Sequence, residues 1–169
     1  MPCSAAFTPS KAYIPPVFSA AFATRLNEMC RIRVREAADG DRVQSGQALI
    51  APGNFHMTIQ KRGGEYRVVV RDGERVCYQR PSVDVLFDSV AAAAGPDAVG
   101  ALLTGMGSDG AQGLLKMKRA GARTIAQDEA TCVVFGMPRE AIRLGGVDHV
   151  LPLGRIAAQL MGLSSAIPA

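Results

Sequence analysis

The segment that most constrains the fold is residues 99–121, where an apolar run passes through a glycine turn into a helical pattern. The run Val99–Leu103 has the composition of a buried strand, and basic residues gather in the last turn of the helical pattern. Gly121 lies where a helix C-terminus favours a residue with positive φ. Strand, glycine turn and helix form the unit that places ligands at the carboxyl edge of a parallel sheet. The pattern therefore predicts a functional loop around Asp109.

This turn admits three interpretations. The G-x-G-x-x-G fingerprint of dinucleotide-binding folds fits Gly105, Gly107 and Gly110. The acidic pair Asp128-Glu129 follows at about the expected distance, but the Asp109 carboxylate would repel a bound pyrophosphate. In the second interpretation Asp109 itself orients a catalytic base. In the third, Asp109 or Ser108 only caps the following helix. The turn alone leaves all three open.

The order of patterns along the chain predicts an α/β fold. From about residue 97, strand and helix patterns alternate three times, which favours a parallel sheet with helices on its faces. Runs at 57–61 and 66–70 flank a glycine turn and predict a β-hairpin. We therefore expect a doubly wound, mostly parallel sheet with helices on both faces and a β-hairpin excursion. Residues 1–12 are expected to be an irregular lead-in.

Two helices can be placed before the glycine turn. Ser82 is a good N-cap for a helix that follows it. A helix is also expected from Pro16, and its predicted buried face comprises Phe18, Phe22, Leu26 and Met29. Smaller signals have plain interpretations. His56 is expected to be a surface or capping histidine, and Arg80 to form an ion pair. Core filling is expected of Met57, Met106, Met117, Met137 and Met161.

Composition limits the classes of function. The chain has 169 residues, of which 48% are hydrophobic and 20% charged, as in one globular domain. The net charge is +4 and the basic residues are dispersed, so no nucleic-acid partner is expected. The four cysteines form no C-x-x-C pair, so we expect no metal, no cofactor and the reduced thiols of a cytoplasmic protein. No apolar run approaches ~20 residues, so no membrane insertion is expected.

Several phrases taken together resemble the catalytic domain of the CheB family, the chemotaxis protein-glutamate methylesterases of bacteria. They are Pro15-Pro16 with Phe18, and residues 38–41, 50–53, 80–84, 103–110, 125–130 and 134–138. The phrases recur in the family's order over roughly residues 13–163, and the ordered set outweighs the dinucleotide interpretation. The resemblance implies a Ser-His-Asp triad that hydrolyses glutamyl methyl esters, and deamidates glutamines, on the cytoplasmic helices of chemoreceptors.

The resemblance also implies roles for two residues of the glycine turn. Asp109 falls on the aspartate of the family's T-G-M-G-x-D-G phrase, which holds and polarises the triad histidine. Met106 falls where the family places a backbone N–H of its oxyanion hole. Asp109 is thus predicted to be the triad acid and Met106 a backbone oxyanion donor.

The departures from the family pattern concern the other two triad members. The family's nucleophile lies in a G-A-S-T-G-G phrase, whereas Ser4 and Ser10 lack the flanking glycines of a sharp strand-to-helix turn. Tyr13 occupies the position of the family histidine, and a phenol with a pKa near ~10 is a poor base at neutral pH. Loss of triad members costs roughly 10⁴–10⁶ in turnover. The sequence therefore predicts an impaired or inactive enzyme that retains only Asp109 of the triad.

Three further expectations follow from these departures. Residues 13–169 are predicted to be one methylesterase-like domain that is truncated at its N-terminus and lacks the family's first strand and nucleophile segment. A sheet edge exposed in this way would permit self-association. The alternatives are a catalytically dead homologue that still binds receptors, or a native polypeptide that is longer than these residues.

Overall fold

The structure is a computed structural model that describes residues 16–165. Four strands follow the first helix, and helices alternate with strands from residue 83 onward. The helices are α1 Pro16–Met29, α2 Val83–Ala93, α3 Ala111–Arg119, α4 Met137–Arg143 and α5 Leu153–Ser165. The strands are β1 Arg33–Glu36, β2 Gln47–Ile50, β3 His56–Arg62, β4 Glu65–Arg71, β5 Val99–Leu102, β6 Arg123–Gln127 and β7 His149–Leu151. The predicted lead-in and Tyr13 lie outside the described residues.

The strands form two parallel half-sheets and one hairpin. β1 and β2 pair in parallel and make the first half-sheet, while β5, β6 and β7 pair in parallel and make the second. β3 and β4 pair in antiparallel register, with Met57 opposite Val70. The predicted hairpin and the mostly parallel arrangement are therefore confirmed. Within residues 16–165 no strand pairing joins β2 to β5.

The main core lies between α2, α3, the hairpin and β5. Its fully buried side chains include Val83, Leu102, Leu114 and Met117. Gly100 of β5 allows α3 to pack this closely, because a Cβ atom there would lie 2.7 Å from Leu114 Cδ1. The missing side chain in the strand therefore sets the distance between the sheet and the helix.

Helix α1 buries a different face from the one that was predicted. Phe18 is 66% exposed and Met29 is 73% exposed. The helix instead turns Ser19 and Ala23 towards the first half-sheet, where Ala23 packs against Val34, Ala48 and Ile50. The Ser19 hydroxyl accepts a hydrogen bond from the backbone N–H of Gly53 at 2.9 Å. Short side chains on the buried face let the helix approach the strands. The prediction is therefore wrong for Phe18, Phe22 and Met29, whereas Leu26 is partly buried and packs against the same cluster.

Other local predictions are confirmed. The Ser82 hydroxyl caps α2 by accepting a hydrogen bond from the Val85 N–H, although at a long 3.4 Å. Gly121 has a φ of +91°, as expected after the end of α3. In the described part of the chain, none of the helices combines the length and the apolar character that crossing a membrane requires.

Candidate active site

Asp109 is buried in the turn between β5 and α3, with 5% of its surface exposed. Its carboxylate accepts hydrogen bonds from the Ser82 hydroxyl at 2.7 Å, the Val83 N–H at 2.9 Å and the Asp84 N–H at 3.1 Å. These donors form the start of α2, so Asp109 caps α2 rather than the helix that follows it. The α3 N-cap is Gly110, with no side-chain cap, and the predicted capping of α3 by Asp109 or Ser108 is therefore wrong.

Asp84 of α2 in turn accepts a hydrogen bond from the first turn of α3. It is 8% exposed, and its Oδ1 accepts a hydrogen bond from the Gly113 N–H at 2.6 Å. A helix N-terminus stabilises negative charge through its unpaired N–H groups. Each of the two helices thus receives a carboxylate from the segment that begins the other, an arrangement that we call the carboxylate exchange.

Burial and neighbouring charges shift the pKa values of Asp84 and of the nearby Cys77. Burial raises the pKa of Asp84, and the nearby Asp109 charge raises it further, while the Gly113 and Gly110 N–H groups lower it. Burial and the same two carboxylates raise the pKa of the Cys77 thiol, whose Sγ lies 3.9 Å from Asp84 Oδ2. The three ligand-type groups lie within 4.8 Å of one another. Because both carboxylates already accept N–H donors and the thiol stays protonated, the cluster is better described as a double cap than as a metal site.

His56 is a member of the site that sequence reasoning undervalued. It is buried, its Nδ1 accepts a hydrogen bond from the Ser82 N–H at 3.3 Å, and its Nε2 donates to the Glu74 carbonyl at 2.8 Å. These partners require the neutral tautomer with its proton on Nε2. The sequence contained one signal for this role, since His56 follows directly after the turn that ends the β2 segment.

Arg80 connects the segment before α2 to the loop after β2 and to the end of the hairpin. It pairs with Asp72, as predicted, and donates to the Asn54 side-chain oxygen at 2.9 Å. With His56 it ties the loop after β2 and the segment before α2 to the start of that helix. The surroundings of Asp109 are therefore held by side chains from several separate parts of the chain.

The loop that contains Met106 is tied to the loop after β6. Buried Gln127 accepts a hydrogen bond from the Thr104 N–H at 2.9 Å, and the Gly105 N–H donates to the Val134 carbonyl at 3.0 Å. The Met106 side chain is 56% exposed, so its predicted core-filling role is wrong, as it is for exposed Met161. Within residues 16–165 no hydrogen bond occupies the Met106 N–H.

The geometry argues against a dinucleotide at the glycine turn. Two N–H groups at the start of α3, where a pyrophosphate would bind, already have partners, since Gly113 donates to Asp84 and Ala111 donates to the Ser108 carbonyl. Gly105 has a packing role instead, because a Cβ there would lie 2.2 Å from Met137 Sδ. Asp128 of the acidic pair accepts hydrogen bonds from the Thr131 N–H and hydroxyl and closes a local turn.

Comparison with known proteins decides the family. The family model for CheB methylesterase matches residues 11–160, which is most of the chain. The chain belongs to the CheB methylesterase family. The Thermotoga maritima CheB methylesterase catalytic domain superposes with a TM-score of 0.86 at 38% sequence identity, over 89% of this chain and 80% of that domain. The predicted doubly wound α/β fold is confirmed by this match.

Relatives with the name protein-glutamate methylesterase/protein-glutamine glutaminase are strongly similar. The protein from Anaeromyxobacter dehalogenans is 62% identical over 151 residues, which are 89% of this chain and 42% of the relative. The protein from Oleidesulfovibrio alaskensis is 58% identical over 149 residues, which are 88% of this chain and 42% of the relative. The chain thus spans about two fifths of the length of these curated relatives.

Proposed function

We propose that this chain provides the acid and oxyanion-binding part of a protein-glutamate methylesterase site. In this proposal Asp109 is the triad acid and the Met106 N–H is an oxyanion donor. A carboxylate offers about four lone-pair positions, and three hydrogen bonds to Asp109 leave room for one more donor, such as a histidine N–H. The proposal is supported by a buried carboxylate that three hydrogen bonds hold in place, in the same turn as Met106, whose N–H has no hydrogen-bond partner within residues 16–165.

We further propose that the 169-residue chain alone binds its substrate without hydrolysing it. Tyr13 occupies the position of the family histidine and is too weakly basic at neutral pH to activate a serine. The substrate class is glutamyl methyl esters, and glutamines, on the cytoplasmic helices of chemoreceptors. Self-association through a free sheet edge stays a prediction.

The test measures turnover and binding separately. A methylated chemoreceptor cytoplasmic fragment is mixed with the purified chain, and methanol and ammonia release are followed. The A. dehalogenans relative is the positive control. We expect no release from this chain, together with retention of the fragment in a pull-down. Methanol release near the rate of the relative would disprove the inactivity, and a pull-down no better than bare resin would disprove receptor binding.

A further inference from the structure

The turn at residues 76–79 holds two residues with side chains in a backbone conformation that suits glycine. The Val76 N–H donates to the Gln79 carbonyl at 3.1 Å, and the Gln79 N–H donates to the Val76 carbonyl at 2.8 Å, so that a two-residue turn is closed. Its central residues, Cys77 and Tyr78, have φ angles of +50° and +64°. Such turns favour pairs like Asn-Gly, because a Cβ atom makes positive φ unfavourable. The 76–79 turn is therefore strained.

Contacts on both sides of the 76–79 turn hold it in this conformation. Before the turn, His56 Nε2 donates a hydrogen bond to the Glu74 carbonyl at 2.8 Å. After the turn, the Arg80 guanidinium reaches back and donates to the Gly73 carbonyl at 2.6 Å. Backbone strain persists where the surrounding structure fixes it, and it is concentrated at functional sites. The loop that carries the turn is thus fixed by the same two side chains that surround the candidate site.

Tyr78 is exposed close to the candidate triad acid. The Cys77 Sγ lies within 4.8 Å of a carboxylate oxygen of Asp109. Tyr78 is the next residue along the chain and is 90% exposed. A ring in water contributes little to the stability of the fold, and here its backbone is strained as well. Tyrosine is enriched among the residues that dominate binding energy at interfaces. The position and the exposure of Tyr78 therefore indicate a role in binding.

Further exposed apolar side chains lie at the other end of the glycine turn. Met106 is 56% exposed, and Val133 of the loop after β6 is 90% exposed. The two loops are joined by hydrogen bonds from the Gly105 N–H to the Val134 carbonyl at 3.0 Å and from the Val134 N–H to the Thr104 hydroxyl at 2.9 Å. Exposed apolar groups that gather around one site indicate an interaction surface. The glycine turn thus has such groups at both of its ends.

The charges near Tyr78 limit which partner side chains can bind there. The carboxylates of Asp84 and Asp109 both lie within 4.8 Å of the Cys77 Sγ. Arg80 of the same loop is already paired with Asp72. Two negative groups at such distances repel a further carboxylate. A neutral methyl ester or amide is not repelled, so the fitting partner presents an uncharged glutamyl side chain with apolar neighbours.

We propose that Tyr78 is a substrate-binding residue that contacts the receptor helix beside the modified side chain. The inference rests on the proposed function, because it takes glutamyl esters or glutamines on chemoreceptor helices as the substrate. Residues three or four positions apart are neighbours on a helix surface. Apolar side chains on one side of the modified residue meet Tyr78, and those on the other side meet Met106 and Val133. The strained turn is retained because it presents the Tyr78 ring to the helix.

The experiment measures stability and substrate binding in the same variant, Tyr78→Gly. Glycine adopts a φ of +64° without strain, so we expect the unfolding midpoint to rise by about 2 °C. Loss of the ring should raise the Kd for a methylated chemoreceptor cytoplasmic fragment about tenfold or more. Tyr78→Phe keeps the ring and should bind within about twofold of the unaltered chain. Thermal unfolding and titration calorimetry measure the two effects.

Met29→Ala is the matched control for an exposed apolar side chain. Met29 is 73% exposed at the end of α1, which precedes the amino end of β1, whereas the candidate site lies at the carboxyl ends of the strands. This variant should leave the Kd for the fragment within about twofold of the unaltered chain. Hydrogen exchange gives a second measurement, because the amides of residues 76–79 should exchange more slowly when the fragment is bound.

The outcomes separate this inference from the proposed function. Equal binding by Tyr78→Gly and the unaltered chain would overturn the inference and leave the proposed function intact. A lower unfolding midpoint of Tyr78→Gly would also overturn it, because the turn would then not be strained. Equal losses of binding in Tyr78→Gly and Met29→Ala would overturn it as well, since the effect would not be local to the site. Absence of binding by the unaltered chain would contradict both proposals.

Discussion

Asp109 has a structural role that can be measured apart from catalysis. Its two carboxylate oxygens accept three hydrogen bonds from residues 82–84 in a buried place. An asparagine retains one acceptor oxygen and directs an NH₂ group at a donor. We expect Asp109→Asn to lower the free energy of unfolding by about 2–3 kcal/mol, since a buried donor loses its partner. Urea denaturation measures the change.

The control for this prediction is Asp72→Asn. Asp72 pairs with Arg80, but 76% of its side chain is exposed. We expect a change within about 0.5 kcal/mol, because exposed ion pairs contribute little. Equal effects of the two substitutions would contradict the capping role of Asp109.

The sequence alone predicts only some of the residues of the candidate site and few of their contacts. Asp109 was identified because its glycine turn has a recognisable spacing. Its contacts with Ser82 and Asp84 join residues about 25 positions apart, and no local pattern encodes such a pairing. His56 was undervalued for the same reason, since its hydrogen bond to Ser82 depends on the tertiary fold.

At the scale of elements, Gly100 controls how β5 and α3 pack. An added Cβ would lie 2.7 Å from Leu114 Cδ1 and 3.0 Å from Met117 Sδ. We expect Gly100→Ala to destabilise the protein by about 1–3 kcal/mol through overpacking. Thermal and urea unfolding measure this effect.

Gly162 supplies the matched substitution in α5. It lies within that helix and an added Cβ would meet nothing within 4 Å. We therefore expect Gly162→Ala to stabilise by up to about 1 kcal/mol through helix propensity. A Gly100→Ala variant that is at least as stable as the unaltered chain would refute the close β5–α3 packing.

The turn after β1 predicts a pH-dependent contribution. The hydrogen bond from Arg35 lowers the pKa of Asp41, burial opposes this, and the Ala38 N–H lowers it further. A carboxyl group with a lowered folded-state pKa stabilises the fold above about pH 4, and this stabilisation is lost as the pH falls through the folded-state pKa. We expect Asp41→Asn to be less stable by about 1–2 kcal/mol at pH 7.

The unfolding free energy at several pH values tests this prediction. The difference between Asp41→Asn and the unaltered chain should shrink as the pH falls from the ordinary range of an aspartate through the lowered folded-state pKa of Asp41. Glu65→Gln, which alters more exposed pairs with Arg42 and Arg67, should show a smaller difference. A difference that stayed constant from pH 7 to pH 3 would exclude Asp41 ionisation as its source.

Helices and strands with a clear periodic pattern of apolar residues are easier to predict than the faces that they bury. The hairpin, the helix capped by Ser82 and the alternation after residue 97 all agree with the structure. The predicted buried face of α1 does not agree with the structure. The spacing of residues shows which side chains share one face of a helix, but not which face packs against a sheet. Ser19 and Ala23 face the strands because they are small, and Phe18 is left exposed.

At the scale of the whole molecule, most buried apolar side chains of residues 16–165 belong to one of two separate clusters. The smaller one joins α1 to the first half-sheet through Ala23, Val34, Ala48 and Ile50. Sub-global opening starts where few apolar contacts are buried. We expect amides of Val34 and Ile50 to exchange at lower urea than those of Leu102 and Ile125 in native-state hydrogen exchange. Simultaneous exchange of all four amides would show instead that the protein opens as one unit.

Because of the carboxylate exchange, α2 and α3 depend on each other for the capping of their first turns. Neither α2 nor α3 carries within itself the group that finishes its first turn, since Asp109 finishes one and Asp84 the other. If the glycine loop and α3 were grafted onto a new scaffold without α2, the first turn of α3 would lose its Asp84 acceptor. The Asp109 carboxylate would in turn lose its hydrogen-bond donors at the start of α2. The smallest transplantable module is the pair of helices together with the strand between them.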